Sequence, residues 1–546
     1  MTRDFAALTK DRFDLLVVGG GVHGLFAAYD AALRGLKVAL VDRGDFGGGL
    51  SFNHQRTIHG GLRALEQGNV AKARRQVHER RTWALIAPHL LRPLPFLVGT
   101  YRFSKRSRTV VRVGFKAYDL VGRGRNHGVS PELHLPKTKL ESAAATKRLF
   151  PGISESGLSG GAVWYDYQTI HPERIMWSLA VAAIGAGATL VNYAEVRAPL
   201  RSGAKIEGAR VKDGIGGAEA DVTAAVTLLA AGCHLGTLMK TFEVRGAPAL
   251  LRAMNLLLDR PARDIAVAAP SPGGRMLTIV PWRGFQLAGT HQSTTFVEAG
   301  EQQPPLESIE AFLSDLDATF PRLRATPADV RFVHHGLTPA VMRKGRAELL
   351  SEAKVIRHSR EGTRGLVSLV GVKLTTARLA AAQAVDAVAS ELGRASGRSR
   401  TGDRPLPHAG IADVEGRLLE TLRDLGASLD RDVIAHLTGW YGTEASPLAE
   451  FAAAGGGFGR LTPSLPILEA EFAYAAMHGG AVHLADAVLR RTPLGSAGHP
   501  GRPPLEKAAD VMAEVLDWSP ERKAEELAAV ERVYPAAPPA TVRRMP

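Results

Sequence analysis

The stretch Asp14–Gly44, DLLVVGGGVHGLFAAYDAALRGLKVALVDRG, decides the fold. Leu15 to Val18 is a short apolar run, the pattern of a strand covered on both faces of a parallel sheet. Gly19, Gly21 and Gly24 follow as G-x-G-x-x-G. The first glycine permits a tight turn, the second lets the backbone approach a pyrophosphate, and the third lets the next helix pack close to the sheet. That helix is expected from about Val22 to Arg34, its N-terminal N–H groups turned toward the phosphates. Gly35 stops it, Lys37 to Val41 reads as a second strand, and Asp42 closes that strand where a carboxylate can accept hydrogen bonds from ribose hydroxyls. Because an acid speaks against a 2′-phosphate, the pattern calls for FAD or NAD rather than NADP.

The chain has 546 residues, 45% hydrophobic and 22% charged, which is ordinary globular composition and too long for one core. One cysteine, Cys233, excludes a disulfide framework and fits a reducing compartment. No leader of the signal-peptide type precedes the first strand, and no apolar run approaches the ~18 residues that span a bilayer. A cytoplasmic protein is expected, either free or peripheral on the inner face of the membrane. The net charge of +14 points to an anionic substrate or an anionic surface. Nucleic acid is not expected, since no zinc spacing and no helix-turn-helix pattern accompanies the charge, and no metal site is expected.

Three further stretches bear on the choice between FAD and NAD: SFNHQRTIHGGLRALEQGNV (51–70), TLLAAGCHLG (227–236) and LVSLVGVKLTTARLAAAQAV (366–385). On these residues the chain resembles the FAD-dependent glycerol-3-phosphate dehydrogenases, within the D-amino-acid-oxidase-like flavoproteins. Ile58-His59-Gly60-Gly61-Leu62-Arg63 is similar to that family's I-H-G-G-L-R, and Gly371 to Arg378 to its G-G-K-L-T-T-x-R. Tyr165-Asp166-Tyr167 with His171 to Arg174, and the tail EAEFAYAAMHGGAVHLADAVLRRTPL (469–494), extend the likeness over nearly the whole chain.

The resemblance implies non-covalent FAD and hydride transfer from a secondary alcohol, with sn-glycerol 3-phosphate the leading substrate. Gly19, Gly21, Gly24 and Asp42 would hold the ADP half, with Val196 also among the FAD-binding residues. Gly232 would approach the diphosphate, and Ser51, His59, Gly60 and Gly61 would lie near the flavin. Gly371, Lys373, Leu374, Thr375 and Thr376 would lie by its ring, where the following helix start favours negative charge on the reduced flavin. Arg63 matches the family's phosphate-binding arginine, Lys373 is a second catalytic candidate, and His291 is the leading candidate base, ahead of His334 and His335.

The substrate side departs from the family. Ala64 stands where a tyrosine is usual, Thr338 replaces the arginine of G-[LV]-R-P, Asn255 aligns with a histidine, and I-G-T-T-D becomes Ala288-Gly289-Thr290-His291-Gln292. Arg63, Asn255, His291 and Thr338 are therefore the expected substrate-contacting positions. Arg283, Arg343, Lys344 and Arg346 are candidates to replace the missing charge. Another polyol, sugar derivative, hydroxy acid or amine is the rival substrate class, and a flavin-binding protein without turnover the rival from another class.

The expected fold is α/β: a Rossmann-type parallel sheet, an antiparallel substrate sheet and a C-terminal helical domain. The oxidoreductase region is read as 12–392, with its FAD-binding part split over about 12–90, 165–240 and 335–392. A Gly/Ser/Pro/Arg linker (393–410), helices over 411–535 and a disordered tail (536–546) complete the chain. Residues 276–290 read as a hairpin, and Ser519-Pro520 as a helix start. The basic, aromatic and valine-rich segment 101–125 suits an anionic membrane surface. With no second dinucleotide motif, quinone or another electron acceptor is expected, and a homodimer is among the expected assemblies.

Overall fold

The structure, a computed structural model, describes residues 3–102, 107–409 and 413–534. The disordered-tail reading (536–546) and residues 103–106 of the basic segment lie outside the described residues. Phe13–Val18 is the first strand and Val22–Leu33 the first helix, with Val38–Val41 next. These strands pair in parallel, Leu15 opposite Val38 and Val18 opposite Val41. Glu219–Leu229 lies parallel on the other side of the first strand, and Leu366–Val370 parallel beyond it. Thr189–Val191 closes the opposite edge. Both faces of this sheet are covered, and for that reason its strands are apolar without alternation: Leu15, Leu16 and Val17 are all fully buried.

The second sheet has ten strands, antiparallel apart from the pairing of Ala266–Pro270 with Leu91–Tyr101. Val330–Arg343, Ala249–Pro261, Phe285–Gln292 and Met276–Trp282 are neighbours in that order. The hairpin expected at 276–290 is present, its two-residue turn made by Arg283 and Gly284, both at positive φ, as a right-twisted hairpin prefers. Leu158–Thr169 and Val330–Arg343 belong to this sheet. The second and third FAD-binding segments therefore begin later than 165 and 335, because these strands run straight through those boundaries in antiparallel register.

One face of the second sheet carries Met254, Leu256 and Leu258 against the outer helix Leu306–Thr319. The other carries Leu257, Leu287, Trp282 and Phe332, which pack on the C-terminal helices through Phe472, Val488 and Met512. The segment expected as a linker has neither helix nor strand, yet it is docked. Leu406 is buried in the main core and its N–H donates to Ile86 O at 2.7 Å, an anchor that its Gly/Ser/Arg neighbours conceal. Among the described residues no helix is long and apolar enough to cross a membrane.

A buried ion cluster ties the C-terminal helices to the dinucleotide domain. Asp45 accepts from Arg490 Nε at 2.6 Å and from Arg491 Nη1 and Nη2 at 2.9 and 2.7 Å. Burial alone would raise the Asp45 carboxyl, but Arg491 and Arg490 outweigh it and hold it well below the usual range. A depressed folded-state value means that the cluster stabilises the fold above about pH 4 and that this stability is lost as the pH falls further. Asp45→Asn leaves the buried Arg491 facing a neutral amide and Arg490 with Asp486 as its remaining carboxylate. A loss of about 3–5 kcal/mol in urea unfolding at neutral pH is expected; an unchanged midpoint would mean that the cluster does not join the domains.

Candidate active site

The first strand delivers the glycine turn to the end of the parallel sheet. A Cβ on Gly24 would lie 1.8 Å from the Gly19 carbonyl oxygen, so only glycine lets the helix sit this close. Gly21 is the helix N-cap residue, and Val22 N–H donates to Ser51 Oγ at 2.9 Å. Ser51 thus satisfies one N–H of the helix end, while the His23 Nε2 nearby is buried without a partner. Burial lowers the His23 imidazole to about 4, so it is neutral at pH 7. Asp42 is half-buried, accepts from Gly44 N–H at 2.8 Å and from Gly20 N–H, and is pushed up to about 6 by burial. Ala230 N–H donates to Val18 O, which brings the turn with Gly232 beside Gly19. Ala194 N–H donates to Asp42 O, which starts the strand carrying Val196 beside the acid. Gly371 lies against the His23 ring, within 2.5 Å of where its Cβ would be.

The chemical end of the site is built around Asp166. Its Oδ1 accepts from Gly60 N–H at 2.8 Å and from the Arg80 guanidinium, which also donates to Tyr118 Oη at 2.9 Å. Its Oδ2 lies 3.2 Å from His59 Nδ1. Burial would raise this carboxyl, but His59 and Arg80 together hold it below the usual range. A Cβ on Gly60 would sit 2.0 Å from Arg80 Nη1 and 2.3 Å from Tyr118 Oη, both fully buried, so the loop closes on the clamp only as glycine. A carboxylate only accepts, so His59 Nδ1 carries a proton toward it, and in the neutral ring the lone pair is on Nε2. His59 Nε2 has no hydrogen-bond partner among the described residues, and the ring is 57% exposed.

His59 N–H donates to Thr375 Oγ1 at 3.2 Å, and Trp83 Nε1–H donates to Thr375 O at 3.2 Å. These bonds tie the glycine loop and the helix Val70–Ile86 to Thr375, with Leu374 and Thr376 flanking it at the start of the helix Ala377–Glu391. Arg63 and Lys373 are exposed and form no ion pair among the described residues. Burial, then Lys72 and Arg63, lower the Lys373 ammonium to about 8.

The substrate sheet presents a row of Thr278, Gly289, Asn255 and His334 as direct cross-strand neighbours. Asn255 Oδ1 accepts from Thr290 Oγ1 at 2.8 Å, and His334 Nδ1 lies 3.1 Å from Asn53 Oδ1. His334 is fully buried, contacts the Arg56 guanidinium at 3.2 Å and is held neutral by burial and that arginine. Thr338 is on the same face, four residues along the strand.

His291 is not on that face. A register shift between Met254 and Asn255 pairs His291 with Met254, and its ring lies 5.1 Å from Phe312 on the outer helix. His335 likewise pairs with Met254 and shares the outer face. Neither can serve as the base for a substrate held at His59. Nor do the expected replacement cations enter the site. Arg283 stacks on Trp282 at 4.5 Å and donates to Ser496 Oγ, at the contact with the C-terminal helices. Arg343, Lys344 and Arg346 are exposed at a hairpin tip. The sequence reading assigned no role to Asp166, although it quoted Tyr165-Asp166-Tyr167, and it passed over Arg80, Tyr118 and Lys72, which carry no motif.

Residues 14–387 match the FAD dependent oxidoreductase family model, and 399–523 match the C-terminal domain of alpha-glycerophosphate oxidase. The chain belongs to the FAD dependent oxidoreductase family. Within that family it is 30% identical over 535 residues to glycerol-3-phosphate dehydrogenase 2 of Mycobacterium tuberculosis, covering 94% of this chain and 86% of that one. It is 29% identical over 511 residues to the glycerol-3-phosphate dehydrogenase of Synechocystis, covering 90% of each. The fold matches the glycerol-3-phosphate dehydrogenase from Bacillus halodurans complexed with FAD, at TM-score 0.73 and 23% identity over 97% of this chain and 95% of that one. The FAD dependent oxidoreductase thus has a mixed α/β fold with a C-terminal helical domain, and its cofactor is FAD. The residues present fit that group: a helix end approached only through glycine, an unpartnered buried His23 Nε2 beside it, and a half-buried acid at the close of the second strand.

Proposed function

We propose that this FAD-dependent oxidoreductase oxidises sn-glycerol 3-phosphate to dihydroxyacetone phosphate. One observation carries the reading. His59 is fixed through Nδ1 by Asp166, its backbone is bonded to Thr375, and its exposed ring leaves Nε2 without a partner among the described residues. Gly19, Gly21, Gly24 and Asp42 would hold the ADP half of FAD, and Gly60, Gly61, Thr375 and Thr376 its ring. When bound, FAD supplies the two-electron acceptor for the hydride that leaves C2. His59 Nε2 takes the hydroxyl proton, and the Asp166 carboxylate stabilises the imidazolium that results. Arg63 and Lys373 attract the phosphate, the arginine by paired hydrogen bonds and the lysine as a point charge.

Quinone as the acceptor, reached at an anionic membrane face, is supported by the helix Arg108–Val121. Val110, Val113 and Leu120 are exposed on it at 55%, 65% and 56%, flanked by exposed Arg112 and Lys116. An apolar stripe between long cationic side chains suits a lipid surface. Sedimentation with anionic vesicles at low salt is expected to carry the protein down, and Val113→Asp to reduce this; a protein left wholly in the supernatant contradicts the membrane reading.

Anaerobic addition of glycerol 3-phosphate is expected to bleach the bound flavin. His59→Asn is expected to slow that bleaching by about 10²–10⁴ while flavin stays bound. A wild-type flavin bleached by dithionite but not by glycerol 3-phosphate contradicts the substrate; an unimpaired His59→Asn contradicts the base.

A further inference from the structure

Lys72 is in the first turn of the helix Val70–Ile86, beside the Ala73 that backs Gly61. Arg75, one turn further, bridges to Glu352 at 2.7 Å. Lys72 is only 8% exposed, so its stem is packed. Its ammonium has no hydrogen bond or ion pair among the described residues and is not fully enclosed. The helix Val70–Ile86 packs on the short helix that carries Arg63 and on the turn Leu374–Thr376 that follows Lys373, two residues before the Thr375 bonded to His59. Neither has a carboxylate partner, and the Glu352 nearby is already engaged by Arg75. The lowered Lys373 ammonium, pressed by burial and by both Lys72 and Arg63, agrees with three cations facing one space.

Like charges gathered side by side, one of them on a packed stem, repel one another unless an anion enters among them. The sheet row Thr278, Asn255, His334 and Thr338 brings no carboxylate to them and is uncharged at neutral pH. We propose that Lys72 is a specificity-determining residue, the third cation of a pocket with Arg63 and Lys373 that takes the phosphate dianion of the substrate. The assignment rests on the glycerol 3-phosphate reading for the identity of the substrate, and on the chain's own cations for the anion.

The test uses FAD-loaded enzyme with Lys72→Met, which keeps the packed stem, and Lys72→Arg, which keeps the charge. Lys72→Met is expected to raise KM for glycerol 3-phosphate by about tenfold or more and to weaken competitive inhibition by inorganic phosphate similarly. Its kcat should stay within about threefold of wild type, and Lys72→Arg should restore both KM and inhibition. If Lys72→Met loses flavin, Lys72→Gln takes its place. Unchanged KM and unchanged phosphate inhibition overturn the proposal, as does a fall in kcat with KM intact. If glycerol 3-phosphate does not bleach wild-type flavin, the substrate reading fails separately. Thermal stabilisation by inorganic phosphate then decides: stabilisation lost in Lys72→Met and kept in Lys72→Arg supports the pocket, and stabilisation absent in wild type or unaffected by Lys72→Met overturns it.

Discussion

Asp166 sits beneath the site with its two oxygens turned to four partners: the Gly60 N–H, the Arg80 guanidinium, His59 Nδ1 and the Trp164 indole N–H. A buried carboxylate is costly unless its charge and lone pairs are met, and three of these four partners lie 86 to 107 positions away in sequence. The fold must close the Gly60–Gly61 loop onto the helix Val70–Ile86 and the strand Leu158–Thr169 together, or leave the charge bare. The same closure fixes the tautomer of His59 and draws its N–H to Thr375, 316 residues away. The position of His59, the proton on its Nδ1 and its contact with Thr375 thus depend on one acid.

The two walls of the site differ in charge. Arg63, Lys72 and Lys373 lie on the side of the glycine loop and the 371–376 segment, without carboxylate partners. The facing sheet is a neutral, hydrogen-bonded row whose histidine is kept uncharged by burial beside Arg56. An anion is therefore drawn to one wall, and a neutral polyol end left toward the other. The C-terminal helices cover the part of the sheet that carries Leu257, Leu287 and Phe332 and are pinned through Asp45.

The dinucleotide unit was legible because each of its constraints is local: strand, glycine spacing, helix and acid follow one another within one βαβ unit. The hairpin at 276–290 and the Ser519 cap, whose Oγ accepts from Arg522 N–H, are local for the same reason. Long-range pairing escaped that reading. Alternation along Phe285–Gln292 would place His291 on the face of Gly289, and only the register shift opposite Asn255 turns it to the outer helix. Asp166 carries no signal of burial in its own neighbours, and Lys72 reads as one more basic residue on a basic helix. Residues 393–410 have a linker's composition, yet Leu406 and Thr401 are buried and Ser396 and Arg394 bond to the dinucleotide unit, so the segment is docked.

The most direct measurement is a crystal structure of the dithionite-reduced, FAD-loaded protein with glycerol 3-phosphate, in which turnover is blocked and the substrate stays bound. The account predicts the C2 hydroxyl about 3 Å from His59 Nε2, with Nδ1 still on Asp166. A hydroxyl bonded to any other base, or a His59 ring swung away from Asp166 with substrate in place, would contradict it.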